Sequence, residues 1–267
     1  MSLCVVKNAF GQTYTGPYAS GMGGAGRAVL GALEAAYMNP AQLGYMSQNH
    51  IYGFLEDGEI RGQDERKIGV MGLDTTTSDL FPGAITYTDV SVKTSAGTVK
   101  TKNYEFSLGR REYDQLSFGI TLKRQEWSEP GDSGADHDIN LGITFVPIKE
   151  LGLAFVTYNV LESGDERAPR KYALGTHYIW EPFMKVSFDL AYQELNSENS
   201  GMDVMGGVAL PFGYVDLLFG FSSLATTNEE FFTTGFVWNG PRLSLAYSYQ
   251  NGSKESVIHN IDFGVFF

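Results

Sequence analysis

The chain has 267 residues, of which 43% are hydrophobic, 13% aromatic and 19% charged, with 32 glycines and a formal net charge of −12. That balance excludes a disordered chain, and the acidic excess argues against nucleic acid, whose binders carry basic faces. A single cysteine, Cys4, allows neither an internal disulfide nor a cysteine-based metal site, and no apolar run approaches the roughly 18 residues of a membrane-spanning helix.

Residues 1–11 carry a short apolar patch ahead of small residues and read as a leader or signal-peptide remnant. Residues 12–48 differ from everything after them. Gly21, Gly23, Gly24 and Gly26 fit the spacing G-x-G-x-x-G. No strand precedes them and no α/β alternation follows, so a dinucleotide site is rejected. The glycines instead predict backbone that bends where side chains would not fit. Alanine, leucine and glutamate then predict a helix over residues 27–37, stopped by Pro40, which disfavours helical geometry at Asn39. The segment is expected to be a small plug.

Residues 49–267 alternate apolar and polar positions in about fourteen candidate strands of roughly nine to thirteen residues. In residues 183–193, Met184, Val186, Phe188, Leu190 and Tyr192 oppose Lys185, Ser187, Asp189, Ala191 and Gln193. In residues 136–146, Ile139, Leu141, Ile143 and Phe145 oppose Asp138, Asn140, Gly142 and Thr144. Two faces of opposite polarity mean two solvents. The strands are longer than the usual five or six residues of soluble sheets, and match the roughly nine to eleven that cross a bilayer at a tilt. The polar face is rich in glycine, alanine and serine, as a lumen around a plug requires. Tight connections (113–114, 147–150, 181–182, 211–213, 239–241) alternate with longer polar ones (57–65, 128–136, 162–169, 196–201, 226–230, 251–255), which is the pattern of a transmembrane barrel. Trp180, Phe183, Phe212, Tyr214 and Trp238 gather beside the tight turns, where an interfacial girdle belongs.

No catalytic constellation emerges. His50, His137, His177 and His259 lack zinc spacing, there is no nucleophile elbow, and Asp132, Asp136 and Asp138 read as solvated loop acids. The predicted lumen carries Glu105, Arg111, Lys171, His177, Lys185, Asp189, Asp203, Asp216, Arg242 and Asp262. Charges of both signs facing one lumen either pair across it and with the plug, or line water. Under the first reading Arg27 is the plug's cation, with Asp189, Asp216 or Asp262 as its partner.

Two stretches carry a resemblance. Met22-Gly23-Gly24-Ala25-Gly26, and Ala35-Ala36-Tyr37-Met38-Asn39-Pro40-Ala41, resemble the N-terminal hatch of the FadL-type outer-membrane superfamily, which includes long-chain fatty-acid transporters and PorV-like barrels of secretion. The ending Phe263, Val265, Phe267 resembles the C-terminal signal read by the outer-membrane assembly machinery. The resemblance implies an all-β transmembrane antiparallel barrel over residues 49–267 around a helical hatch over 12–48, in a Gram-negative outer membrane. It further implies a monomeric barrel, without enzymatic activity or cofactor, for passive uptake of hydrophobic cargo such as long-chain fatty acids. Cargo would leave laterally or past a shifted hatch. Gly21, Gly23, Gly24, Gly26, Arg27, Asn39 and Pro40 become gate elements. The family's transporters are longer, with large outer loops, so the alternative is a PorV-like anchor partnering an envelope secretion or motility complex. An open diffusion porin is the third class, disfavoured by the plug.

Overall fold

The computed structural model describes residues 14–32, 34–76, 81–161, 169–193, 200–225 and 227–267. The expected leader and Cys4 lie outside the described residues, as do most of the connections expected at 162–169 and 196–201.

The strands are β1 (His50–Ile60), β2 (Gln63–Asp74), β3 (Gly83–Thr94), β4 (Gly97–Tyr113), β5 (Leu116–Glu129), β6 (Asp132–Ile148) and β7 (Leu151–Tyr158). They continue as β8 (Lys171–Trp180), β9 (Met184–Gln193), β10 (Gly201–Phe212), β11 (Val215–Leu224), β12 (Glu229–Asn239), β13 (Leu243–Gly252) and β14 (Val257–Phe266). Each pairs antiparallel with its sequence neighbours, and β1 closes on β14, so the described sheet is a closed fourteen-stranded barrel with no free edge.

Period-two alternation sets the faces. Phe188 and Tyr192 of β9 point outward, while Ser187, Asp189 and Ala191 are buried inside. The outward set is apolar although exposed, with Ile85 and Phe232 each at 68%. That arrangement is wrong for water and right for lipid. Trp180, Phe183, Phe212, Tyr214 and Trp238 are exposed beside the turns at one end of the barrel.

Two expected outer loops are absent. Residues 57–65 form the β1–β2 hairpin, closed by Arg61 and Gly62 at φ 52° and 75°, the left-handed pair of a type I′ turn. Residues 128–136 form the β5–β6 hairpin, closed at Pro130 and Gly131, the latter at φ 92°. The acids that look like loop residues belong to strands that keep their ladder beyond the apolar band. β4 and β6 run 17 residues each, against 8 for β7. Asp132, Asp136 and Asp138 accordingly lie in β6, not in a loop.

The N-terminal segment folds into the lumen at the end where β1 begins. It holds α1 (Pro17–Gly21), α2 (Ala35–Met38) and a 3-10 turn (Pro40–Tyr45). The helix expected over 27–37 is reduced to α2. Gly31 takes φ 77°, outside helical geometry, and breaks the run; the backbone N–H of Arg27 is bonded to Asp189, far along the chain. Asn39 is extended and caps the 3-10 turn, its side chain accepting from the Ala41 N–H, while Pro40 opens that turn where a missing N–H costs nothing.

Candidate functional site

The hatch sits on a belt of glycines facing the lumen. A Cβ on Gly109 would stand 2.6 Å from the Leu43 Cβ, and one on Gly152 would stand 2.5 Å from the Ala28 carbonyl oxygen. On Gly119 it would collide with the Pro40–Ala41 backbone, on Gly142 with the Asn39 carboxamide, and on Gly220 with the Met22–Gly23 backbone. The hatch therefore lies backbone against wall, which only glycine permits. Hatch glycines answer in kind: Gly23 and Gly24 take φ 74° and 89°, and a Cβ on Gly26 would meet that of Ala19 at 2.7 Å.

A polar latch fixes the register. Asp189 Oδ2 accepts from the Gly26 N–H (2.9 Å), the Arg27 N–H (3.1 Å) and Arg27 Nη1 (3.0 Å). Arg27 Nε donates to the Tyr158 hydroxyl at 3.0 Å, and that hydroxyl donates to the Met38 carbonyl. Asn39 Nδ2 donates to the Arg27 carbonyl (2.9 Å) and to Thr144 Oγ1 (2.8 Å). Gln42 Nε2 donates to the Gly26 and Arg27 carbonyls. Burial works against the Arg27 cation, yet Tyr158 and Asp189 hold its pKa above the ordinary value. On β12, Thr233 Oγ1 donates to the Gly21 carbonyl (2.9 Å) and accepts from the Gly23 N–H (3.0 Å).

A third contact is acidic. The Tyr14 hydroxyl donates to Asp262 of β14. Within the hatch, Glu34 accepts from the Ala19 N–H at 2.8 Å, and burial pushes its carboxyl up to about 7.

Of the three carboxylates weighed for Arg27, Asp189 is the one in contact; Asp262 takes Tyr14 and Asp216 takes Lys185 at 2.6 Å. Lys171 pairs with Asp203 at 3.4 Å, and His177 Nδ1 bonds Ser187 at 2.8 Å. Two expected lumen charges lie elsewhere. Arg242 is exposed in the turn before β13: its parity points inward, but the strand has not yet begun. Arg111 is exposed at the rim, stacked 5.3 Å from the Tyr45 ring and paired with Asp114. At the chain end, Phe263 and Phe267 are exposed, Val265 is half-buried, and the Phe267 N–H bonds the Asn49 carbonyl at 3.0 Å.

Sequence reasoning missed Tyr158, Gln42, Thr144, Thr233 and Glu34. Strand parity places Thr144 and Thr233 on the lumen face, but nothing local names their partners. It also missed an apolar sector. In β1–β3, Tyr52, Phe54, Met71, Leu73 and Ala84 face inward and pack with Tyr14, Tyr37 and Leu43 of the hatch. The outer side of the same sector is a groove of about 570 Å³ lined by Ile51, Gly72, Phe81, Ile85 and Phe106. Beside the hatch lies a second cavity of about 340 Å³, lined by Val29, Val237 and Ala246 together with Glu34, Lys185 and Asp216.

No protein-family profile matches the sequence, and no curated protein matches it. Solved structures do. The monoaromatic hydrocarbon channel CymD superposes at a TM-score of 0.74 with 12% identity, over 97% of this chain and 99% of that one. The toluene transporter TbuX of Ralstonia pickettii gives 0.70 and 14%, over 97% and 100%. A FadL homologue of Pseudomonas aeruginosa gives 0.70 and 10%, over 95% and 98%. The chain has the fold of the FadL-type barrels.

Proposed function

We propose that this barrel takes up hydrophobic molecules passively across a Gram-negative outer membrane, as a monomer, with the hatch as its gate. Fatty acids are one such cargo; the aromatic hydrocarbons that name the similar channels are another. The observation that carries the reading is the part of the β1–β3 sector level with the hatch, where Tyr52, Phe54, Met71, Leu73 and Ala84 face inward and an apolar groove lies outside. A barrel wall ordinarily separates a polar lumen from lipid. Here a hydrophobic molecule beside the hatch is divided from the membrane by one layer of strand, which lacks outward side chains at Gly53 and Gly72. The hatch residues Gly21, Gly23, Gly24, Gly26, Arg27, Asn39 and Pro40 act as positioning elements of the gate.

The test is entry of labelled toluene and labelled palmitate into outer-membrane vesicles with and without the protein. Gly72→Trp fills the outer groove at a position whose Cβ meets nothing within 4 Å. Protein-dependent entry that falls in this variant supports the reading. Entry equal to that of vesicles lacking the protein defeats it.

A second reading, an anchor for an envelope protein, draws on the two-residue hairpins and on the tall β4–β6 wall. That wall stands beyond the apolar band with Lys100, Lys102, Arg124 and Glu126 outside. A single protein recovered by crosslinking at Lys102, together with no cargo entry, would favour it.

A further inference from the structure

The lumen beyond the hatch carries more buried carboxylates than buried cations. Among the described residues its buried carboxylates are Glu56, Glu65, Glu105, Asp138, Asp203 and Glu229. Three lysines face them. Lys67 is shared by Glu56 and Glu65, at 2.7 and 2.8 Å. Lys123 lies between Glu105 and Asp138 in the cross-strand register, and Lys171 serves Asp203. Arg61, at the rim and partly exposed, is 3.5 Å from Glu229. Each of the first two lysines therefore answers two carboxylates.

A second observation points the same way. Asn103, Asn159 and Asn260 are 2%, 1% and 0% exposed, and the carboxamide oxygen of each is without a hydrogen-bond partner. These are acceptors, which welcome a donor and repel another anion. An excess of one sign of charge inside low-dielectric walls focuses its field along the lumen.

We infer that the lumen selects cargo by charge, admitting uncharged or amine-bearing hydrophobic molecules and rejecting ionised carboxylates. The inference rests on the uptake reading and narrows its substrate class. For fatty acids it confines entry to the protonated form.

The experiment compares benzyl alcohol, benzylamine and benzoate, three molecules of similar size and different charge at neutral pH. Entry into vesicles with and without the protein is measured at low salt. Benzyl alcohol and benzylamine should exceed benzoate by on the order of tenfold. High salt on the unmodified protein should narrow the gap, because it screens exposed charge. The double variant Glu56→Gln, Glu65→Gln should raise the benzoate-to-alcohol ratio several-fold. Benzoate entering as fast as benzyl alcohol, at a ratio insensitive to salt, overturns the inference and leaves uptake standing. No protein-dependent entry of any of the three overturns uptake itself.

Discussion

The lumen face is built in two ways within a few residues of the same strands. On β4 it runs Gly109, Ser107, Glu105; on β5, Gly119, Thr121, Lys123; on β6, Gly142, Asn140, Asp138. The glycine end holds the hatch by shape, backbone against backbone. The charged end, about 13 Å along each strand, sets a field. Position along one alternating pattern thus separates a docking surface from a selectivity surface.

The sharpest way to break the docking half is Asp189→Ala. It leaves Arg27 buried without its carboxylate, a loss of about 3–5 kcal/mol in hatch seating. Hydrogen exchange over residues 36–45 should quicken accordingly, while the barrel strands keep their protection. Next comes Gly119→Ala, which sets a methyl against the Pro40–Ala41 backbone. Overpacking of this kind costs about 1–3 kcal/mol and should loosen the same segment without touching the lipid face.

A smaller effect follows from Glu34. Burial raises its carboxyl to about 7, above its value in a released hatch. The seated hatch therefore binds the proton more tightly than the released one. Seating is full below the ordinary glutamate range near pH 4.5 and weakens as pH rises from there through about 7. Glu34→Gln should flatten that dependence in exchange measured from pH 5 to 8. The smallest effect is expected at Arg242, exposed in its turn. Arg242→Gln should stay within about 0.5 kcal/mol in barrel stability by urea titration.

Legibility followed distance along the chain. Period-two alternation revealed the faces and the closed barrel, because each side chain's solvent is decided by its own strand. The helix expected over 27–37 is interrupted at Gly31, which takes φ 77°, and the path of that segment is set by distant contacts such as Asp189 with the Gly26 and Arg27 N–H groups, which no local pattern encodes. The hairpins at Arg61-Gly62 and Pro130-Gly131 carried turn residues in plain view. Charges on their flanking strands, which stand in water beyond the lipid, made them look like loops. Arg242 had the right parity and the wrong address. The inward glycines were visible as a class, but not which hatch atom each would meet.

The most direct test of the hatch as a seated gate is conductance in planar bilayers, for the unmodified protein and for Asp189→Ala side by side. A nearly closed unmodified barrel, with a variant that opens to larger and longer-lived steps, is the expected result. A large, steady conductance shared by both would contradict the seated hatch and return the barrel to the class of open porins.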